Sequence, residues 1–528
     1  MSEPAIQQAL PRIDASNQKF RSQVGHISRH SGVFFGGTIF AATFGYIFKV
    51  YLARVLGAQN LGLYALGMTL VSFIGIFNTL GLPQSAVRFV SAYLAERKFK
   101  PLHALLWRGG MALLAGNILL AGVLLGFGKV IAIRFYHSPA LVPYLPLFAL
   151  LMPFSVLNTF YSRVLTGYRD LKWRTLIMNF IGSPLNIIIA VLLISAGMGL
   201  RGYLVAQVCS AAIICILLVS AVREFTPPQS RIFAQGGSNP EAKVWSFSAV
   251  MLSAGFLTFL TSQVDRVALG YYRGAREVGI YSVAASLVAY IPLVLNSVNQ
   301  IFAPTIADLH TRGEHSLLAR LFQSLTKWVI GLTLPVAMVV IVFSRSLMRI
   351  FGHDFEVGWP ILIIGCIGQL VNCGVGSVGY LLVMSGNEKR LIRVQIAMAL
   401  MMTLGSAAVI PVWGIYGAAA VAALTNIGMN ALNLLQVHKA LGVSPYNRSY
   451  QHLLLPSVAT LALVVALSKY APVFRHDWLA VGVAIAASYG TFAAVFYLTS
   501  GLDADDRLIA SALNSRMRSV LGRSGAQA

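Results

Sequence analysis

The stretch FKVYLARVLGAQNLGLYAL, residues 48–66, contains the pattern that decides the fold of this chain. It begins inside an apolar run, yet Lys49 lies within that run and Arg54 closes it. A turn marked by Gly57 follows, and a second apolar run starts directly after it. Two apolar segments joined by a glycine turn predict a pair of helices, and the lysine inside the first one requires an explanation.

The composition of the whole chain identifies an integral membrane protein. Of its 528 residues, 57% are hydrophobic and 11% are charged, and the mean hydropathy is +0.72. Soluble domains carry roughly 25% charged residues, so this chain could not hide its apolar surface in water.

Fourteen apolar segments have the length of a membrane-spanning helix, which needs ~20 residues to cross ~30 Å of hydrocarbon. They lack the alternating pattern of a membrane β-barrel, so the predicted fold is an all-α bundle of about 14 transmembrane helices. The segments are residues 33–53, 61–82, 107–128, 140–164, 175–197, 203–222, 244–271, 279–303, 324–344, 358–384, 391–412, 415–438, 451–470 and 478–499.

The distribution of the net charge of +23 predicts the topology. Most of the 40 lysines and arginines lie in the two termini and in every second loop, most densely in residues 83–106, 163–174 and 385–393. This positive-inside bias predicts that both termini are cytoplasmic, and the basic loops are expected to attract anionic membrane lipids rather than nucleic acid. The first 32 residues are polar and basic and show no signal-peptide cleavage site.

The glycine turn occurs a second time in the chain. RGAREVGIYSV, residues 273–283, matches LGAQNLGLYAL, residues 56–66, at a displacement of 217 positions. The matched pairs are Gly57/Gly274, Ala58/Ala275, Gly62/Gly279 and Tyr64/Tyr281, with weaker matches at Thr166-Gly167/Ser385-Gly386 and Gly199/Gly202 against Gly414/Gly417. Offsets that stay nearly constant over such a length indicate an internal duplication.

The duplication predicts two lobes of six helices each. Six crossings is an even number, so both copies would enter the membrane from the same side, related by a pseudo-two-fold axis along the membrane normal. Such lobes favour a solute site between them and alternating access over a purely structural scaffold. The predicted divisions are a cytoplasmic N-terminal segment 1–32, an N-lobe 33–222, a cytoplasmic linker 223–243, a C-lobe 244–438, a further helix pair 451–499 and a cytoplasmic amphipathic tail 500–528.

The same displacement of 217 carries Lys49 onto Arg266, so each repeat places a cation near the same level of its first helix. Charges inside a membrane cost about 2.5–3.5 kcal/mol each and usually face a cavity or a partner. We therefore expect both to line a cavity that binds an anion. The alternative is that Lys49, roughly 24 Å into its helix, snorkels to the outer headgroups. Arg54 and Arg273 lie further out, where the two interpretations are balanced.

Polar side chains inside the apolar segments have two interpretations each. Asp265, next to Arg266, is favoured as its ion-pair partner; the alternative is a group that titrates and couples transport to an ion gradient. Amides suit contacts with sugar hydroxyls, but for any single one an interhelical hydrogen bond is the better explanation. The amide candidates are Asn78, Gln84, Asn296, Asn299 and Gln300.

Signals for catalysis and for cofactors are missing from the sequence. There is no GxxxxGK[ST] phosphate loop and no Ser/His/Asp signature, and the four cysteines have no metal-ligand spacing. His26 and His30 lie four positions apart but lack an acidic third ligand. We therefore expect no enzyme activity, no cofactor and no metal.

Three motifs resemble the bacterial Wzx-type oligosaccharide flippases of the polysaccharide transporter family. They are ARVLGAQNLGLYAL (residues 53–66), DRVALGYYRGAREVGIYSVA (265–284) and FGHDFEVGWPILIIGCIGQL (351–370), and the likeness covers roughly residues 30–440. The superfamily also holds multidrug and toxin extruders and the MurJ-type lipid II flippases.

The resemblance implies a V-shaped, two-lobed bundle in the bacterial inner membrane. It would flip an undecaprenyl-pyrophosphate-linked oligosaccharide from the cytoplasmic to the periplasmic leaflet for cell-surface polysaccharide biosynthesis. Lys49, Arg54 and the Asp265–Arg266 pair would lie in the cationic cavity, and polysaccharide polymerase or export machinery would be its protein partners.

Three alternatives stay open. A multidrug or cation antiporter of the same superfamily would normally have a net acidic cavity. A lipid II flippase also has fourteen helices, but the arginine-rich first helix of the MurJ type is not evident here. A membrane-bound glycan polymerase or transferase would be expected to show a catalytic acid or histidine in a large loop.

Overall fold

The computed structural model describes residues 43–77, 79, 81–168, 171–227, 242–470 and 478–500. All regular secondary structure in these ranges is helical, which confirms the predicted all-α class. The predicted N-terminal segment 1–32 lies outside these ranges, as do nearly all of the tail 500–528 and most of the linker 223–243.

Within the described ranges, seven helices precede the linker. They are α1 Thr43–Phe77, α2 Leu82–Ala95, α3 Phe99–Val130, α4 Leu145–Gly167, α5 Leu171–Thr175, α6 Ser183–Leu193 and α7 Gly199–Phe225. Short helical turns of wider or tighter pitch extend and join them at Ile131–Phe135, Pro139–Tyr144, Leu176–Gly182 and Ile194–Met198. As a result α5, α6 and α7 form one helical run.

After the linker, the described residues form ten helices. They are α8 Ala242–Tyr272, α9 Ala275–Val288, α10 Leu293–Thr311, α11 His315–Val342, α12 Ser344–Ile350, α13 Trp359–Val375, α14 Val378–Met384, α15 Glu388–Leu441, α16 Leu454–Tyr470 and α17 Trp478–Ser500. Short 3₁₀ segments, His353–Gly358 and Arg448–Leu453, lead into α13 and α16.

Nine helical runs in the described ranges are long and apolar enough to cross a membrane, or ten if the bent pair of α9 and the start of α10 is one span. Three of the nine contain glycines with positive φ: Gly57 in α1, Gly197 and Gly199 between α6 and α7, and Gly414 in α15. Because glycine adopts such angles without strain, one run can change direction there. The number of runs therefore need not equal the number of crossings, and the expected fourteen is not confirmed.

The internal repeat is present in the backbone angles. Gly57 and Gly274 both have positive φ, at 73° and 84°. Gly199 and Gly414 agree in both angles, with φ and ψ of 52° and −133° in one and 53° and −132° in the other. Matched residues of the two sequence copies thus adopt the same conformation, as expected of a duplicated unit.

The described helices group into two compact units. The amino unit is Phe48–Ser282 with Met402–Ala418, and the carboxyl unit holds the other described residues. α8, the first helix of the predicted C-lobe, therefore belongs to the amino unit. The lobe boundaries drawn from the sequence stay a prediction.

Each unit has its own apolar core. In the amino unit, α2, α3, α4 and α7 pack around Leu82, Phe160 and Leu218. In the carboxyl unit, α10, α11, α14 and α15 pack around a second cluster that includes Phe322. The helix pair α16 and α17 packs on α11, where the Tyr489 hydroxyl donates a 2.8 Å hydrogen bond to the carbonyl of Leu332.

Candidate functional site

The two copies of the glycine turn pack against each other within the amino unit. A Cβ on Gly62 of α1 would collide with the carbonyl oxygen of Ala275 on α9, and a Cβ on Gly279 would collide with the carbonyl oxygen of Ala58. Small residues four positions apart allow helix backbones to approach this closely in a membrane. This reciprocal contact fixes α1 against the start of α9. The candidate cations Lys49 and Arg266 lie on α1 itself and on α8, the helix directly before α9.

Lys49 of α1 and Arg266 of α8 both lie in the amino unit. Both side chains are half-buried, and their positive charges are close enough to interact. The Nη1 of Arg266 donates to Oε1 of Gln263 at 2.6 Å and to the carbonyl of Ser262 at 3.3 Å. Among the described residues, neither cation forms an ion pair with a carboxylate. The fold therefore concentrates two positive charges between apolar helices.

Asp265 contacts Tyr281 rather than the guanidinium of Arg266. The carboxylate is 6% exposed and accepts a 2.5 Å hydrogen bond from the Tyr281 hydroxyl on α9. Its other oxygen accepts from the backbone N–H of Arg266 at 2.8 Å. Successive residues on a helix point about 100° apart, so the Arg266 side chain turns to Gln263 instead. Asp265 thus ties α8 to α9, and the ion pair favoured from the sequence is not among its described contacts.

Tyr64, the repeat partner of Tyr281, has a different anchor. The side-chain amide of Gln207 on α7 donates to the Tyr64 hydroxyl at 2.8 Å and to the Tyr203 hydroxyl at 3.0 Å. Sequence reasoning misses Gln207 and Tyr203, because nothing in their spacing relates them to the turn. The signal in the sequence that pointed to this contact was the tyrosine that both copies of the turn contain, Tyr64 and Tyr281.

The two outer candidates, Arg54 and Arg273, are exposed. The Nη2 of Arg273 donates to the carbonyls of Pro411 at 2.8 Å and Val412 at 3.1 Å, beside the break at Gly414 in α15. Carbonyls freed at a broken helix are commonly satisfied by a cationic side chain. Arg273 thus stabilises the break in α15. A role of Arg54 or Arg273 in substrate binding stays a prediction.

The candidate amides do not form one group. Asn78 and the side chain of Gln300 lie outside the described residues. Gln84 and Asn296 are exposed, whereas Asn299 in the carboxyl unit is buried. The Oδ1 of Asn299 accepts a 2.5 Å hydrogen bond from the hydroxyl of Ser377, which is the interhelical bonding preferred for such amides. Contacts of these amides with sugars stay a prediction.

The chemistry that the amino unit offers is anion binding. Two neighbouring cations between apolar helices suit a phosphate or pyrophosphate group. In the described ranges, no group of three or more His, Cys, Asp or Glu side chains could hold a metal ion. Among known proteins, many helical spans with an internal repeat and charges within apolar helices are typical of membrane transporters.

Comparison with known sequences identifies the family. The chain belongs to the polysaccharide biosynthesis protein family, whose model matches residues 27–310. A second family model, MatE, matches residues 251–387.

Two curated relatives have transport or biosynthesis names. The succinoglycan biosynthesis transport protein ExoT of Rhizobium meliloti is 26% identical over 323 residues, which is 59% of this chain and 60% of ExoT. The teichuronic acid biosynthesis protein TuaB of Bacillus subtilis is 28% identical over 134 residues, 24% of this chain and 27% of TuaB. The chain thus spans less than two thirds of the length of these relatives.

Solved structures share the fold at low sequence identity. The lipid II flippase MurJ in an inward closed conformation matches with a TM-score of 0.68 at 17% identity, covering 88% of this chain and 99% of MurJ. An inward-facing multidrug transporter of the MATE family and MOP superfamily matches with a TM-score of 0.59 at 13% identity, covering 75% and 94%. The chain therefore shares its fold with these two proteins.

Proposed function

We propose that this protein is a flippase that moves an undecaprenyl-pyrophosphate-linked oligosaccharide from the cytoplasmic to the periplasmic leaflet of the bacterial inner membrane. The observation that carries the proposal is the neighbouring pair Lys49 and Arg266, supplied by equivalent positions of the two repeats. Membership of the polysaccharide biosynthesis protein family supports the glycan part of the proposal.

The energetics of this pair favour a polyvalent anion. Two like charges held between apolar helices repel each other, and each loses part of its hydration. A pyrophosphate offsets both costs because it carries more negative charge than a single phosphodiester, and arginine binds its oxygens with a planar fork of donors. The pair therefore selects the pyrophosphate of a lipid-linked glycan over the headgroups of bulk phospholipids.

The remaining elements of the proposal concern topology and partners. The positive-inside bias of the loops supports cytoplasmic termini. The duplicated helices support alternating access by movement of one repeat relative to the other. Exposed amides such as Asn296 are candidates to contact the glycan, and a polysaccharide polymerase or export complex would receive it on the far side.

Asp265 acts in this proposal as a tether of α8 to α9. Its carboxylate is held by Tyr281, so the accessible charge beside it is that of the cations. This arrangement favours an anionic substrate over the cationic drugs of multidrug antiporters. Coupling to an ion gradient through Asp265 would require the Tyr281 hydrogen bond to break, which gives that idea a separate test.

The experiment that tests the function is flipping by the purified full-length protein in liposomes. The probe is a fluorescently labelled undecaprenyl-pyrophosphate disaccharide, whose exposure on the outer leaflet is measured by dithionite quenching. We expect Lys49→Ala and Arg266→Ala to slow flipping at least tenfold, roughly the contribution of one charged hydrogen bond. Arg266→Lys, which keeps the charge, should retain part of the rate.

Arg134→Ala, which removes an exposed cation beyond α3, is the matched control and should flip at the wild-type rate. Wild-type rates for both site variants would disprove the cationic site. Efflux of ethidium by a protein that does not move the labelled lipid would instead identify a cation antiporter.

A further inference from the structure

A second group of cations lies at one end of the amino unit, apart from Lys49 and Arg266. Arg163 lies near the end of α4, Lys172 and Arg174 lie on α5, and Arg223 lies near the end of α7. We call these four side chains the basic rim. The positive-inside bias assigns this end to the cytoplasm.

Contacts along the run from α5 to α7 bring three of these residues to one level. Gly182 packs on Ile214, and Gly202 packs on Leu193, so the run folds back with its two arms antiparallel. In this register, the start of α5 with Lys172 comes level with the end of α7.

Contacts from α4 bring its end to the same place. The hydroxyl of Tyr168, directly after α4, shares a 2.9 Å hydrogen bond with the hydroxyl of Thr226, directly after α7. Tyr161 of α4 lies close to Arg223 of α7. The ends of three helices, each carrying cations, therefore meet.

Two arginines of the basic rim are held close together. The Nε of Arg174 donates to the hydroxyl of the buried Ser162 at 3.1 Å, which fixes the guanidinium beside α4, where Arg163 is close enough to repel it. Neither arginine has an ion-pair partner in the part of the chain that the structure describes. Of the nearby acids in sequence, Asp170 lies outside that part and Glu224 is exposed.

Two open, mostly apolar grooves begin at the basic rim. The first has a volume of 590 Å³ and is lined by Lys172, Trp173, Thr175, Leu176 and Phe180. The second has a volume of 460 Å³ and is lined by Cys215, Ile216, Val219, Ser220 and Arg223. Each groove runs along one helical segment and has a cation at one end, Lys172 in the first and Arg223 in the second. Trp173, 44% exposed beside the first cation, occupies the position that aromatic residues take at a membrane interface.

We propose that the basic rim and its two grooves bind an anionic phospholipid, with the phosphate on the cations and the acyl chains along the grooves. The charge of the rim selects the headgroup, since a zwitterionic lipid would bring its own cation against the arginines. The apolar grooves favour a lipid over a free anion, because a small phosphate has no acyl chain that could occupy them. This site is independent of the proposed flipping activity.

The test is titration of the full-length protein with dioleoyl phosphatidylglycerol in neutral detergent, followed by native mass spectrometry. One cation near a membrane surface strengthens anionic lipid binding roughly fivefold. The double variant Arg163→Gln/Arg174→Gln should therefore bind this lipid about 10- to 30-fold more weakly, while binding of dioleoyl phosphatidylcholine stays unchanged. Phe180→Ala, which keeps every cation, should weaken phosphatidylglycerol binding several-fold.

Lys389→Gln/Arg393→Gln is the matched control, because it removes the same charge from the corresponding loop of the second repeat. It should change the affinity less than twofold. An equal loss in this control, or wild-type affinity in Arg163→Gln/Arg174→Gln, would overturn the proposal. Displacement of the lipid by millimolar glycerol phosphate would also overturn it, since it would identify a site for a free anion.

Discussion

Gly62 lies so close to the carbonyl oxygen of Ala275 that no side chain fits between the two backbones. The equivalent residues Gly279 and Ala58 make the same contact in reverse. The two copies of one sequence motif therefore form each other's binding surface, and this contact lies at the junction of the two repeats.

Gly62→Ala should destabilise the protein, because the new methyl group meets rigid backbone that cannot move aside. Overpacking of this kind costs about 1–3 kcal/mol, and contact with backbone places the expected loss at the upper end. The measurement is the melting temperature of the purified protein in detergent. Gly75→Ala, in the same helix but with no atom within 4 Å of the added Cβ, is the control and should melt as the wild type does.

Tyr281→Phe should destabilise the protein more than Tyr64→Phe. The first change leaves the buried carboxylate of Asp265 without its hydroxyl donor, and hydrogen bonds to charged groups contribute about 1.5–3 kcal/mol. The second change removes an acceptor from a neutral amide, worth about 0.5–1.5 kcal/mol. Chemical denaturation of both variants measures the difference.

The double variant Asp265→Asn/Tyr281→Phe should lose less stability than the two single changes added together, because both act on one contact. Strict additivity would show that Asp265 and Tyr281 do not interact. If Asp265→Asn kept full stability but flipped without responding to a pH gradient, the carboxyl would be a coupling group rather than a tether.

Arg273→Gln should lower the melting temperature while leaving the flipping rate per folded molecule near that of the wild type. The reason is that the guanidinium satisfies the carbonyls of Pro411 and Val412 at the break in α15. A cation at such carbonyls contributes typically 0.3–1 kcal/mol. A tenfold slower flipping rate with unchanged stability would instead place Arg273 in the substrate site.

Lys49→Met should stabilise the substrate-free protein and slow flipping at the same time. Replacing a desolvated charge by an apolar side chain of similar length is often neutral or stabilising by about 1–4 kcal/mol, and here it also removes the repulsion from Arg266. The double variant Lys49→Met/Arg266→Met should gain less than the sum of the single gains, since the repulsion disappears only once. A Lys49→Met protein that melts earlier than the wild type would show that Lys49 has a stabilising partner.

Composition and the repeated turn were sufficient to predict much of the fold. The low content of charged residues identifies a membrane protein, and the Gly57/Gly274 and Gly199/Gly414 pairs indicate the duplication that the backbone angles show. The correspondence of Lys49 with Arg266 follows from the same displacement, because a duplication is expected to place equivalent residues at equivalent depths.

The partners of individual polar side chains could not be predicted in the same way. Asp265 and Arg266 are adjacent in sequence, but the helix rotates one toward Tyr281 and the other toward Gln263. Gln207 reaches Tyr64 from a helix 143 positions away, and no periodicity relates them. The number of membrane crossings could not be predicted from the sequence either. A helical run can change direction at a glycine with positive φ, so one run need not correspond to one crossing.

Tyr64 and Tyr281 occupy equivalent positions of the two copies but have different hydrogen-bond partners. A phenol hydroxyl permits this difference because it can accept from an amide, as Tyr64 does from Gln207, or donate to a carboxylate, as Tyr281 does to Asp265. Equivalent tyrosines of the two copies therefore anchor their turns to different helices, Tyr64 to α7 and Tyr281 to α8.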